Sequence, residues 1–363
     1  MSSLLPNLPA NIDRLLPWGW SDDLTQYWQN LDASLRSQFR PARIVEDPRG
    51  AFLLQGISLD ESPVRAEVIG QLRKADLLWP SVGDWVLADQ SPSPMIHRVL
   101  PRKGLLQRKA AGESEDIQAL AANIDCALIV TSPNHDLSPR RIERMLLAIR
   151  EANAAPLLVL NKCDLISAEQ TQSLIEDLRD RLNQLSVVAV SARSGDGLSG
   201  LLSGVRALCS VAQPTIALLG SSGVGKSTLT NALLGEDAQR TSEVRSDDSK
   251  GRHTTTGRRL LRTPHQLLMI DMPGVREFQL ADPENSLEGR LDEEFSDIQE
   301  LALRCRFTNC SHEREPGCQI RLALDQGALA ADRVHSWRKL LGEIADRRQP
   351  KKSLGRTSGR TRR

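Results

Sequence analysis

The sequence predicts a multidomain chain: an N-terminal OB-fold β-barrel, a central α/β domain on a parallel sheet, and a mainly helical C-terminal part. Three observations predict it. Short β-like runs separated by turn residues fill residues 42–106, continuous apolar runs alternate with helical patterns across residues 124–270, and a Cys/His cluster leads into a helical stretch beyond residue 291. At 363 residues the chain can hold several cores, and 40% hydrophobic with 26% charged residues is an ordinary globular balance. No apolar run approaches the roughly 20 residues needed to span a bilayer. Met1 to Ala10 lacks the basic patch and apolar stretch of an export signal. A cytoplasmic monomer with no membrane partner is expected.

In chain order, residues 1–40 read as an N-terminal extension carrying Trp18, Trp20 and Trp28, with one helix over Asp22–Leu35. The barrel occupies residues 41–110, with strands at Ala51–Gln55, Val64–Ile69, Trp85–Ala88 and His97–Leu100. Asp47-Pro48-Arg49-Gly50 and Val82-Gly83-Asp84 supply turns between them, and this spacing of short strands suits an OB-fold. From His97 to Lys109 five cations and no acid occur: Arg98, Arg102, Lys103, Arg108 and Lys109. Such a rim is either a nucleic-acid contact or a solvated face. Residues 107–116 are polar and read as a linker.

The central domain spans residues 115–290. Strands are predicted at Ile124–Thr131, Leu157–Leu160, Val187–Val190, Thr215–Leu219, Arg259–Arg262 and Leu267–Ile270. Helices fit the segment starting at Ser138-Pro139, then Ala168–Gln184, Leu198–Leu208 and Lys226–Leu234. The alternation means a parallel sheet with ligands at the carboxyl ends of its strands. A helical C-terminal domain covers residues 291–346, with helix over Ile320–Ile344. Residues 347–363 form a disordered tail in which Arg347, Arg348, Lys351, Lys352, Arg356, Arg360, Arg362 and Arg363 stand without an acid. That tail either contacts a phosphate backbone or only solubilises the chain. Formal net charge is +1, so only this local distribution of charge points to nucleic acid.

Gly220-Ser221-Ser222-Gly223-Val224-Gly225-Lys226-Ser227 matches GxxxxGK[ST] between a predicted strand and a predicted helix, with Thr228 next. Glycines let the backbone wrap phosphates, amides at the helix start bind anionic oxygens, Lys226 reaches the outer phosphates and Ser227 suits Mg²⁺. Asn161-Lys162-Cys163-Asp164 follows an earlier strand. The Asp164 carboxylate can accept from two N–H groups of guanine, where adenine would leave it unpaired. Asn161 braces the loop and the Lys162 stem covers the base. After the next strand Ser191 and Ala192 offer a backbone amide to the same base.

The base-reading motif precedes the phosphate loop, the reverse of the order in Ras-like GTPases, so the domain reads as a circularly permuted P-loop GTPase. Downstream, Asp271 suits Mg²⁺ through water and the Gly274 amide suits the γ-phosphate. Between lies Gly251-Arg252-His253-Thr254-Thr255-Thr256, in the position of a first switch, where one of the three threonines, assigned here to Thr255, would ligate Mg²⁺. Val275 stands where Ras-like proteins place a water-orienting Gln. His253 is the nearest group able to position or deprotonate water, with a merely packed histidine as the alternative. Slow intrinsic hydrolysis accelerated by a partner follows.

Cys305, Cys310, His312 and Cys318 lie within fourteen residues and suit one tetrahedral, closed and therefore structural Zn²⁺ per chain. Cys126, Cys163 and Cys209 read as reduced thiols, mostly packed.

Together these motifs, with Pro80-Ser81-Val82-Gly83-Asp84-Trp85-Val86 and Asn123-Ile124-Asp125, make the chain resemble the ribosome small subunit-dependent GTPase A family (RsgA, also called YjeQ or YloQ) over residues 42–341. The resemblance implies an OB-fold, a permuted GTPase using GTP/GDP with Mg²⁺, a zinc-binding C-terminal domain, and late maturation of the small ribosomal subunit. It also implies binding to rRNA and GTPase activation by the small ribosomal subunit. Three readings stand beside one another: an enzyme-switch timing departure from the subunit, an RNA-binding assembly protein with incidental hydrolysis, and a GTPase signalling to a protein partner.

Overall fold

The structure, a computed structural model, describes residues 8–48, 51–70, 72, 79–109, 117–133, 137–235, 258–272, 291–292 and 294–348. The chain divides into two compact units, residues 1–281 and 282–363.

The first unit opens with helices α1 (Ile12–Leu15), α2 (Asp22–Asn30) and α3 (Ala33–Gln38). The sequence predicts one helix over Asp22–Leu35. The break comes at Leu31 and Asp32, whose ψ angles of 150° and 142° leave the helical range, and Leu31 packs against the cluster of Leu15, Trp20 and Trp28 with Trp85, Leu87 and Leu100. The extension is thus seated on the barrel by its own apolar residues.

The barrel is built from β1 (Phe39–Glu46), β2 (Phe52–Gln55), β3 (Val64–Val68), β4 (Trp85–Asp89) and β5 (Met95–Val99). Pairing runs β1-β2-β3-β5-β4 and closes from β4 back to β1, with β3 and β5 parallel and the other pairs antiparallel. This is the OB-type closure the sequence predicts. Strand β1, absent from the sequence reading, is the correction: Arg40, Pro41 and Arg43 interrupt its apolar pattern, yet it pairs with both β2 and β4. The segment predicted as a linker over residues 107–116 is strand at its start: β6 (Leu105–Lys109) takes in residues 107–109 and pairs antiparallel with β7 (Ile117–Ala122) as a separate two-stranded sheet, while residues 110–116 lie outside the described residues.

The α/β part carries β8 (Cys126–Thr131), α4 (Pro139–Glu151), β9 (Ala155–Leu160), α5 (Ala168–Arg181), β10 (Val187–Ala189), α6 (Leu198–Leu208), β11 (Thr215–Leu219), α7 (Lys226–Leu234), β12 (Arg259–Arg262) and β13 (Leu268–Asp271). Strands β10-β9-β8-β11-β13 are parallel, and β12 is antiparallel at their edge. Every residue of β8 and β11 is buried, as expected of strands covered on both faces. Ile142, Met145, Leu146 and Ile149 at helical spacing bury the inner face of α4, each contributing about 1.5–3 kcal/mol relative to exposure. Strand β12 joins the barrel through Glu46 opposite Arg259, whose side chains also pair at 2.9 Å.

The second unit contains α8 (Ser296–Ala302), α9 (Gln319–Asp325) and α10 (Ala331–Arg348). The single helical stretch predicted over Ile320–Ile344 is interrupted at Gly327, whose φ of 69° and amide bond to Leu324 O end α9 as a glycine C-cap. Helix α10 extends through Arg347 and Arg348. Among the described residues no helix is long and apolar enough to cross a membrane.

Candidate nucleotide site and metal cluster

Three loops meet at the carboxyl ends of β9, β10 and β11. Asn161 leaves β9 with its backbone N–H donating to Thr131 O at 2.8 Å and its side chain buried. Its Nδ2 donates to Val224 O at 2.9 Å, and its Oδ1 accepts from Ala192 N–H at 3.0 Å. One amide therefore ties the base-reading loop to both the phosphate loop and the Ser191-Ala192 loop. Lys162 takes a left-handed φ of 64° and its Nζ donates to Gly223 O. Cys163 directs its thiol back to Leu160 O at 3.0 Å, and burial pushes that thiol's pKa up. It is a protonated spacer, while Asp164 stands exposed at the loop's tip.

The phosphate loop needs glycine at two positions. Gly220 has φ 142°, and a Cβ there would lie 2.2 Å from Val130 O. Gly225 has φ 93°, and a Cβ there would lie 2.3 Å from Asn161 Nδ2. Val224 is buried under the loop, anchoring it, while Ser222, Gly223, Ser227 and Thr228 are exposed and Ser221 is half-buried. Lys226 Nζ donates to Gly220 O at 2.7 Å and to Ser221 O, so the ammonium already lies inside the loop. Asn161, Lys162, Asp164, Leu165, Ala192 and Gly225 line much of a cavity of about 250 Å³. It offers a carboxylate, an aliphatic stem and apolar walls, the chemistry that holds a flat base with two N–H donors.

Asp271 ends β13, where burial raises its pKa and the Arg259 guanidinium opposes the rise. Its carboxylate and the Ser227 hydroxyl in the first turn of α7 are oxygen groups of the kind a hard cation such as Mg²⁺ prefers. His253, Thr255 and Gly274 lie outside the described residues.

In the second unit, the ligand atoms of Cys305, Cys310, His312 and Cys318 all lie within 4.8 Å of one another. His312 Nδ1 is 3.5 Å from Cys305 Sγ and 3.6 Å from Cys318 Sγ, and those sulfurs are 4.0 Å apart. Zinc with Zn–S about 2.3 Å and Zn–N about 2.0 Å has tetrahedral edges of about 3.5 Å (S···N) and about 3.8 Å (S···S). The donor set fits such an ion, and Nδ1 is the His312 nitrogen turned toward the sulfurs. Burial, assisted by Arg338, lowers the His312 pKa and favours the neutral imidazole that binds metal. Gly317 turns with φ 77° beside Arg306, just before Cys318.

A model of the RsgA GTPase family matches residues 99–281, half of the chain. The chain belongs to the RsgA GTPase family. A relative from Xylella fastidiosa strain M23, named Small ribosomal subunit biogenesis GTPase RsgA, is 41% identical over 334 residues, covering 90% of this chain and 95% of that one. A relative of the same name from Methanosarcina acetivorans is 42% identical over 287 residues, covering 78% of this chain and 74% of that one. The crystal structure of YjeQ from Thermotoga maritima superposes with a TM-score of 0.60 at 25% identity, covering 85% of this chain and 100% of that one. YloQ, described as a circularly permuted GTPase, shares the fold with a TM-score of 0.57 at 23% identity, covering 86% of this chain and 97% of that one. The chain is therefore a GTPase of circularly permuted order, and GTP hydrolysis is its activity.

Two contributors escaped the sequence reading of this family member. Leu165 is 67% exposed yet lines the cavity beside Asn161 and Asp164; a large apolar residue directly after Asn161-Lys162-Cys163-Asp164 was its signal. Glu315 accepts from Ser311 N–H and Oγ and from the N–H groups of Glu313 and Arg314, bracing the loop between two metal ligands. These bonds hold its carboxyl well below the usual range. An acid between ligands carries no motif, so only the fold reveals it.

Proposed function

We propose that this chain is a GTP-hydrolysing switch that binds the small ribosomal subunit and its rRNA late in subunit maturation, with hydrolysis stimulated by the subunit. The observation that carries the reading is the Asn161 amide joining base-reading and phosphate loops, in a chain whose relatives are named small ribosomal subunit biogenesis GTPases. Asp164 reads guanine, with Asn161, Lys162, Cys163, Ser191 and Ala192 shaping its pocket. Amides of residues 220–228 and the Lys226 ammonium face the phosphates. Ser227, Thr255 and Asp271 hold Mg²⁺, which when bound neutralises charge on the outer phosphates. The Gly274 amide senses the γ-phosphate. His253 positions water where Val275 cannot, and the subunit completes the site. One structural Zn²⁺ per chain on Cys305, Cys310, His312 and Cys318 staples the helical domain, while the barrel at 41–110 and the basic tail at 347–363 contact rRNA. The chain acts as a cytoplasmic monomer.

Purified small subunits should accelerate hydrolysis on the order of 10²-fold or more, with large subunits and RNA-free extract inert. Lys226→Ala should abolish the effect and remove nucleotide dependence from subunit binding. Equal rates with and without small subunits would overturn the reading.

A further inference from the structure

Pro80–Val86 and Asn123–Asp125 bear no part of the nucleotide site, yet they meet at the amino ends of the strands whose other ends carry it. Their meeting point is Arg43, in β1. This side chain is buried among four segments. Nε donates to Gly83 O at 3.3 Å, Nη1 to Trp18 O, and Nη2 to Thr215 Oγ1 at 2.9 Å. The guanidinium carbon lies 5.2 Å from the Trp85 ring centre. Burial lowers the Arg43 pKa to about 10, with Asp125 and Asp84 opposing the fall, so it remains a cation at neutral pH.

The partners of Arg43 are themselves tied down. Asp125 exchanges backbone and side-chain bonds with Thr215, its N–H donating to Thr215 O at 2.8 Å and its Oδ2 accepting from Thr215 N–H at 2.8 Å. Asp125 O also accepts from Ala155 N–H at 2.9 Å. Asn123, at φ 56°, donates to Gly83 O at 3.0 Å. Gly83 sits so close that a Cβ would meet Ala122 O at 2.2 Å. Asp84, fully buried, receives Arg102 Nε at 2.8 Å and Nη2 at 2.7 Å. On the extension side, Arg262 lies over Trp18 at 5.8 Å, and Gln213, its amide turned to donate, reaches Leu16 O at 3.1 Å.

Thr215 begins β11 and Gly220 follows its last residue, so the five buried residues of this strand, about 17 Å of chain, lead from the Arg43 contact to the phosphate loop. Asp125 stands just before β8 and Ala155 begins β9; these strands end at Thr131 and at Leu160, which Asn161 follows. Each strand is interior to the parallel sheet, and a close-packed sheet displaces as a unit rather than bending locally.

We infer that Arg43 is a positioning residue that locks the barrel and the extension to the phosphate-loop strand, so that load placed on the barrel by RNA reaches the nucleotide loops. This rests on the functional reading above. Hydrolysis by wild type, Arg43→Met, Thr215→Val and the double variant is measured for the full chain, alone and with saturating small subunits, alongside thermal melts. Arg43→Met keeps the volume and removes all three donors; Thr215→Val removes one hydroxyl.

The rates without subunits should stay within about threefold of wild type, while stimulation falls about tenfold or more for Arg43→Met and about threefold for Thr215→Val. The double variant should match Arg43→Met alone, since Thr215 acts through it. Equal losses of basal and stimulated rate tracking a lowered melting temperature would show mere structural support and overturn the inference. Full stimulation in folded variants would overturn it too. Should Arg43→Met fail to fold, Thr215→Val decides. A wild-type chain that small subunits do not stimulate overturns the functional reading and this inference together; stimulation retained in the variants overturns the inference alone.

Discussion

The two ends of β8, β9 and β11 are built by opposite means. At the carboxyl ends, contiguous stretches of four to eight residues make the nucleotide loops, and positive-φ glycines with one buried amide hold them open. At the amino ends, single residues from distant segments, Trp18, Gly83 and Thr215, converge on one buried cation, Arg43, and Asn123 donates to Gly83 O beside it. A site that must admit a ligand needs exposed backbone donors in a row, which forces a motif. A junction that must exclude water needs only that each polar atom find one partner, which any segment can supply.

That contrast is broken most severely at Gly225. Gly225→Ala puts a methyl 2.3 Å from Asn161 Nδ2 at φ 93°, where L-residues are strained. GTP affinity should fall on the order of 100-fold, about 2.7 kcal/mol, in a fluorescent-nucleotide titration; a loss under about threefold would show the loop adapts. Asp84→Ala strikes the other end. Burial raises the Asp84 pKa against the pull of Arg102, so the pair is costly to form, yet removing one member strands the other. Because Arg102 keeps partial access to water, the low end of the known range applies, about 3 kcal/mol, read in urea melts with GTP affinity unchanged. An unchanged melt would mean water replaces the carboxylate.

The C-terminal unit tests whether a brace outside a motif matters. Glu315→Gln should release zinc several-fold faster to a chelator while Cys and His ligands stay intact. The carboxylate is held below its ordinary pKa. Its contribution is therefore complete only above the ordinary Glu pKa of about 4.3 and is lost progressively as pH falls from there through the depressed folded value. Identical release from both forms would leave Glu315 without a role in the loop. Smallest is Lys103→Met, which removes the 2.6 Å pair with Asp125 from a half-exposed position. Its cost should stay under about 1 kcal/mol in the same urea melts. A larger loss would place Lys103 inside the Arg43 network rather than at its rim.

The strands of the α/β part were legible because each is an apolar run without interruption, the mark of burial on both faces. Strand β1 was illegible for the opposite reason: Arg40, Pro41 and Arg43 break its pattern, and burial of Arg43 depends on Gly83, Trp18 and Thr215 accepting its hydrogen bonds. Helices α2 and α3 read as one, since nothing local in Asn30-Leu31-Asp32 announces that Leu31 turns into the Trp20–Trp28 cluster.

The sequence by itself determined the GTPase order, the nucleotide loops and the Cys/His donor set, because these depend on residues close together in the chain whose chemistry follows from type and spacing. Only the tertiary structure decided that Asn161 links three loops, that Glu315 braces the metal loop, and that Arg43 joins barrel, extension and phosphate-loop strand. Those contacts span separations such as the 172 residues between Arg43 and Thr215. At that distance a hydrogen bond leaves no periodicity to read, and its partners are fixed only when the core closes around them.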